Sequence, residues 1–231
     1  MAVERRILVV DVGGNNVKCW TPTLDERRKT PSGPKLTAEA MAAAVLALTS
    51  DWDYDVVSLG VPGPVAANTV AREPVNLGTG WVGFDFTSAF GRPTRVVNDA
   101  VMQALGCYEG GRMLFLGLGT GLGNTLISDG HVVGMELGHL PYRNGKTFEQ
   151  HVGQRGLLRL GKRRWRKVVN DVVQRLKDAT VADYVILGGG NAKLVDPLPK
   201  GCRLGDNRHA FIGGLRLWDE PPPAPALVQA A

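Results

Sequence analysis

Apolar positions along the chain fall into short continuous runs that end in glycine, separated by longer stretches with helical spacing. RILVVDVGGNNVKCW, residues 5–19, is an apolar run, a glycine break and a resumed alternation. It predicts a strand, a glycine turn and a returning strand over roughly residues 5–21. RMLFLGLGTGLGNTLI, residues 112–127, repeats that pattern about half a chain length later and predicts a second hairpin over 112–128. Between them, LTAEAMAAAVLALTS (36–50) predicts a helix with Thr37 as N-cap. DVVSLGVPGPV (55–65) predicts a buried strand ending in a Gly/Pro turn. DERRKTPSGPK reads as a short edge strand and loop, and VNLGTGWVGFDF as loop. TRVVND (94–99) is a strand that runs into the helix AVMQALGCYEGG.

After the second hairpin, EQHVGQRGLLRLG and WRKVVNDVVQRLKDA predict two helices, DYVILGGGNAKLV a strand, glycines and a helix start, and DNRHAFIGGLRLW a last helix. Strands alternating with helices place the chain in the α/β class. The repeated hairpin predicts two similar lobes facing each other. Residues 1–98 form a small N-terminal lobe completed by the helix at 207–219, residues 99–206 a larger lobe, and residues 220–231 a disordered tail.

A glycine turn lets backbone N–H groups approach an anion with no Cβ in the way. Two such turns on facing lobes, and a third glycine stretch at LGGGNAK after another buried strand, suit a chain of phosphates gripped from both sides. The plain alternative is that both are ordinary hairpin turns. A net charge of +5 favours an anionic partner without naming it. Hydrophobic residues at 44% and charged residues at 21% are ordinary for a globular chain, and no apolar run reaches the roughly 18 residues of a membrane span. MAVERRILVVD has no secretory cleavage signal, and Cys19, Cys107 and Cys202 are odd in number and far apart. They encode neither a disulfide framework nor a zinc site, so the expected location is cytoplasmic.

At this point the motifs resemble those of the ROK sugar kinases, in the actin/hexokinase-like ATPase superfamily. DVGGNNVK resembles their first phosphate motif, GLGTGLG the second, LGGGNAK the adenosine motif, VVND the segment with the catalytic aspartate, and ELGH (136–139) the sugar-binding ExGH. The five run in the family's order over nearly the whole chain. TPSGPKLTAEAM, NLGTGWVGFDF, WRKVVNDVVQRL and LGDNRHAFIGGLRLW resemble a subgroup, the polyphosphate glucokinases. The resemblance implies a two-lobed fold of duplicated ribonuclease H-like lobes. It also implies transfer of a phosphoryl group from polyphosphate or ATP, with Mg²⁺, to the 6-hydroxyl of glucose or a related hexose. Two departures stand out. HLPYRNGKTFEQHVGQRG lacks the cysteine-rich zinc segment common in the family, as the subgroup also does, so no structural zinc is expected. Asn15 and Asn16 replace the small hydroxyl residues common there.

Residue by residue, the resemblance makes Asp99 the general base. The plain alternative is that Asn98 and Asp99 merely cap a helix, and that helix N-terminus would also keep the Asp99 carboxylate ionised. Sugar contacts fall to Asn98, Glu136, His139 and Glu149, with Asn76 a weaker candidate. Phosphate and nucleotide contacts fall to Asp11, Gly13, Gly14, Asn15, Asn16, Lys18, Gly119, Thr120, Gly121, Gly188, Gly189 and Gly190, with Asp11 reaching Mg²⁺ through water. Lys18 balances phosphate or Asp charge, or is only a solvated strand residue. His131, His151 and His209 read as structural or surface residues. GKRRWRK (161–167) is a solvated helix face or a guide for an anionic polymer, with Trp165 its only stacking partner for nucleic acid. ROK repressors carry an extra N-terminal helix-turn-helix, whereas this chain starts at the first phosphate strand, so no DNA partner is expected. A homodimer without a membrane partner is the remaining expectation. Two other classes stay open: a non-catalytic sugar or nucleotide sensor, and a kinase for another sugar or an acyl substrate.

Overall fold

The computed structural model describes residues 5–206 and 208–219. Its elements in chain order are β1 (Ile7–Val12), β2 (Asn16–Thr21), β3 (Glu26–Pro31), α1 (Ala38–Leu48), β4 (Val56–Val61), β5 (Val65–Ala66), β6 (Thr69–Val70), α2 (Phe86–Phe90), β7 (Thr94–Asn98) and α3 (Asp99–Cys107). There follow β8 (Arg112–Leu118), β9 (Leu122–Ser128), β10 (His131–Met135), β11 (Pro141–Arg143), β12 (Lys146–Thr147), α4 (Phe148–Val152), α5 (Gln154–Thr180), β13 (Tyr184–Gly188), β14 (Cys202–Leu204) and α6 (His209–Arg216).

The repeat seen in the sequence is a repeat of topology. One sheet has the order β3-β2-β1-β4-β7 and the other β10-β9-β8-β13-β14. In each, three strands form an antiparallel meander and two more join in parallel. The parallel strands β1 and β4 are buried along their whole length, which is why they read as unbroken apolar runs. The returning strand β2 alternates, and β3 at the edge is mostly exposed. The chain is thus α/β with two equivalent sheets, the two-lobed actin/hexokinase-like architecture.

Helices cover both faces of each sheet. Leu8, Val10 and Leu59 pack with Met41 and Val45 of α1, and Leu114 and Leu116 pack with Trp165, Val169 and Val172 of α5. The other faces meet α3. Met102 joins Val9 and Phe211 in one cluster, while Ala100 and Ala104 join Phe115 and Ile127 in another. α3 therefore lies between the sheets. α6 crosses it so tightly that a Cβ on Gly106 would collide with the His209 carbonyl, and one on Gly213 with the Met102 carbonyl.

Local signals hold. The Thr37 hydroxyl accepts from the Ala40 amide at 3.1 Å, a cap of about 1 kcal/mol. Asn98 caps α3 by accepting from the Ala100 amide at 2.8 Å. The helix expected over 149–161 is interrupted. α4 ends at Val152 and Gly153 is extended; a Cβ there would stand 2.6 Å from the Thr120 carbonyl oxygen, so the chain passes too close for a side chain. Gly161, at φ +70°, then breaks the helical stretch of α5 where a boundary was expected. The tail at 220–231 lies outside the described residues, among which no helix is long and apolar enough to cross a membrane.

Candidate active site

Asp11, the last residue but one of β1, stands opposite Gly60 of β4, which stands opposite Val97 of β7. A Cβ on Gly60 would clash with the Met102 side chain and lie 3.6 Å from the Asp99 Cα. The bare glycine thus lets the first turn of α3 settle over the strand ends and brings Asp99 towards Asp11. Asp99 is partly open to solvent. Loss of hydration pushes its carboxyl up to about 7, and the charges of Asp11 and, less, Glu136 push the same way. The amides of Ala100 and Asp99 pull it down and do not win. The expectation that the helix N-terminus keeps this carboxylate ionised is therefore overturned by desolvation and a like charge, both long-range effects.

Asp11 is 7% exposed and accepts from Lys18 Nζ at 3.0 Å. Lys18 thus balances Asp charge, the first of its readings. One ammonium faces Asp11, while Asp99 and Glu136 act on the same space. Among the described residues no group of three or more His, Cys, Asp or Glu could cage a metal. Excess negative charge without a cage fits a hydrated Mg²⁺ carried by phosphates, which takes one or two carboxylates and keeps waters. Burial pushes the thiols of Cys19 and Cys107 up to about 12 and that of Cys202 up to about 11.

The first glycine turn closes through the Gly13 amide on the Asn16 carbonyl at 2.9 Å. Gly14 and Asn15 are exposed, and Asn76 packs beside Gly14. The second turn, Gly119–Thr120–Gly121, is exposed at Thr120 and braced from below. Gln154, at the start of α5, donates its amide to the Gly119 carbonyl at 3.0 Å. Asn191 donates through Nδ2 to the Gly119 carbonyl at 3.2 Å and to Gln154 Oε1 at 2.9 Å, while its own amide bonds the Leu118 carbonyl at 2.9 Å. The third glycine stretch thereby abuts the second. Gly188 is buried against Phe115, and Gly189 has φ +81° with the Leu118 backbone where a side chain would go.

On the acceptor side, Glu136 and His139 are exposed, with Oε2 and Nε2 3.9 Å apart. Glu149, in α4, accepts from the Leu122 amide at 3.3 Å and fills the space a Cβ on Gly121 would need. It belongs as much to the second glycine turn as to the sugar set. Asn98 is committed through Nδ2 to the Gly63 carbonyl at 2.7 Å and through Oδ1 to Ala100, leaving one N–H and one lone pair free. A 390 Å³ cavity opens beside Asn98 and Glu136, lined also by Val97, Val101, Asn124 and Met135. Among the described residues no hydrogen bond joins the 13–16 turn to the 119–121 turn.

Outside the site, His151 is buried on the Arg143 carbonyl, His209 lies 3.1 Å from Cys107 Sγ, and His131 is exposed. Trp165 is fully buried and bonds the Val152 carbonyl at 2.8 Å, so it is no stacking platform. Arg166 bonds the Leu194 carbonyl at 2.6 Å, which sets the basic helix beside the third glycine stretch, with Arg163, Arg164 and Lys167 exposed. Sequence reasoning missed Asn124, Gln154 and Asn191 as supports. Asn191 sits inside the quoted LGGGNAK, whereas Gln154 and Asn124 carry no local signal.

No protein-family model matches the chain. A polyphosphate glucokinase of Mycobacterium leprae is 28% identical over 211 residues, covering 81% of this chain and 64% of the relative. One from Mycobacterium tuberculosis (strain CDC 1551 / Oshkosh) is 26% identical, covering 84% and 80%. The chain thus spans slightly less than two thirds of the first relative's length. Among solved structures, the inorganic polyphosphate/ATP-glucomannokinase of Arthrobacter sp. strain KM matches with a TM-score of 0.80 at 23% identity, over 93% of this chain and 98% of that one. A ROK family glucokinase from Streptomyces griseus, in complex with glucose and AMPPNP, matches with a TM-score of 0.70 at 19% identity, over 92% and 98%. The structural matches carry the fold: the chain is similar in sequence to the polyphosphate glucokinases and is built on the fold of the ROK sugar kinases.

Proposed function

We propose that the chain is a sugar kinase that transfers a phosphoryl group from polyphosphate or ATP to the 6-hydroxyl of glucose or a related hexose. The observation that carries this is Asp99. A carboxyl pushed up to about 7, at a helix start beside Asp11 and Glu136, is poised to take a hydroxyl proton near neutral pH. A sensor needs no such base, and the curated relatives named above are kinases.

In this reading Glu136, His139, Glu149 and the free N–H of Asn98 orient the sugar. Asn76, which packs beside Gly14, is the weaker candidate for a further sugar contact. Asp99 accepts the 6-hydroxyl proton as that oxygen attacks the terminal phosphorus, and the bond from that phosphorus to its bridging oxygen breaks, so that ADP or a polyphosphate one unit shorter leaves with the electron pair. Backbone amides of the 13–16 and 119–121 turns and the Thr120 hydroxyl hold the phosphates, and Gly188, Gly189 and Gly190 leave room for an adenine or the far end of a polyphosphate. Bound Mg²⁺ would neutralise phosphate charge, with Asp11 holding one of its waters. Lys18 keeps Asp11 in place. The lobes 1–98 and 99–206 close over the pair and exclude water as a competing acceptor.

The test is a matrix of hexoses against ATP and long-chain polyphosphate, with and without Mg²⁺, read as sugar phosphate formed. Sugar 6-phosphate from at least one donor is expected. Sugar binding without turnover across the matrix would instead mark a sensor.

A further inference from the structure

We propose that Asn124 is a positioning residue that locks the acceptor turn at 136–139 to the donor turn at 119–121. The proposal rests on the kinase reading above. Asn124 lies in the middle strand of the antiparallel meander, opposite Leu116 and Met135, and is only 3% exposed. Its Nδ2 donates to the Leu122 carbonyl at 3.0 Å, and its Oδ1 accepts from the Leu137 amide at 3.1 Å. Leu122 directly follows Gly119–Thr120–Gly121, and Leu137 stands between Glu136 and His139. One buried amide therefore spans the two halves of the reaction.

Two further contacts close the same joint. Glu149 accepts from the Leu122 amide at 3.3 Å. Gly138 lies so near that a Cβ on it would stand 3.0 Å from the Leu122 carbonyl oxygen and 3.4 Å from the Glu149 Cβ. The strand itself does not call for an amide here. An apolar side chain would occupy a buried strand position without the cost of desolvating polar atoms. The asparagine is repaid only through the two backbone groups it joins. Those groups belong to turns whose spacing fixes how the sugar hydroxyl meets the phosphorus, and a shift of about 1 Å in such a spacing costs roughly 10²-fold in rate.

The test compares Asn124→Leu and Gly138→Ala with the wild-type chain. The first removes the tether and the second pushes the joint apart with one added carbon. Each should lower kcat/KM for the sugar roughly 10- to 100-fold, mostly in kcat, with the donor KM changed by less than about twofold. Combined, they should be no worse than the more severe single variant, because both open one joint. If Asn124→Leu fails to fold, Gly138→Ala reads the same signature. Variants that lose thermal stability but keep kcat within about twofold overturn the positioning role while leaving the kinase intact. A wild-type chain that neither phosphorylates nor binds hexose, the latter by calorimetry, overturns the kinase reading and this proposal with it.

Discussion

Replacing Asp99 by asparagine separates catalysis from stability at one atom. The amide keeps the size of the side chain and an oxygen to accept from Ala100, but it cannot take a proton. Turnover should fall roughly 10²- to 10⁴-fold with sugar binding retained. With the wild-type carboxyl pushed up to about 7, kcat/KM should rise about tenfold from pH 6 to pH 8, and the residual activity of the variant should lack that limb. Stability gives an independent reading. The folded carboxyl binds its proton more tightly than the unfolded one, whose ordinary value is 3.8. Wild-type stability is therefore lost as pH rises from about 4 to about 7, and asparagine escapes that loss. The advantage of Asp99→Asn should grow by about 2–3 kcal/mol between pH 5 and pH 8, read by denaturant unfolding at each pH. An acidic limb near pH 4, or a stability difference that does not change with pH, would refute the argument that burial and Asp11 raise this group.

Neutralising Arg163, Arg164 and Lys167 together should raise the KM for long polyphosphate, in a salt-dependent way, and leave that for ATP nearly unchanged; equal effects on both donors would reduce the run to a solvated helix face. Asn191→Ala removes the braces to Gly119 and Gln154 and should cost about 1–3 kcal/mol of stability while raising donor KM more than sugar KM, measured by thermal melting and initial rates. Purified protein should carry no stoichiometric zinc by elemental analysis, and a zinc-selective chelator should leave the melting curve unmoved.

The parts legible in the sequence are those whose cause is local. A buried parallel strand writes itself as an unbroken apolar run, so the inner strands of both sheets and their glycine hairpins could be read, as could the Thr37 and Asn98 caps, which act within three residues; β10 and β14, short and largely exposed at the edges of the second sheet, could not. The ionisation of Asp99 could not. Its local neighbours, the helix-start amides, argue for a low value, and the groups that raise it arrive from β1 and from the turn after β10 through pairings set by the whole fold. The same holds for Trp165. Within its basic run it looks like an exposed aromatic, but the helical period turns it onto the sheet with Val169 and Val172. The tether through Asn124 depends on the register of three strands.

These failures share a cause with function. A site that gathers like charges and spends buried amides on joints works against local preference, and it persists only because long-range packing compensates. Gly60 shows the compensation at its smallest. With no side chain there, Met102 and the start of α3 occupy the space, and Asp99 is drawn over Asp11 at the end of a parallel strand. A methyl at Gly60 would push the helix start outward. That would relieve the repulsion that tunes the base and loosen the hold of α3 between the two sheets at the same time. The tuning of Asp99 and the packing of the lobes around α3 are therefore one arrangement, fixed by a glycine whose place in VSLGVPG reads as no more than a break in a strand.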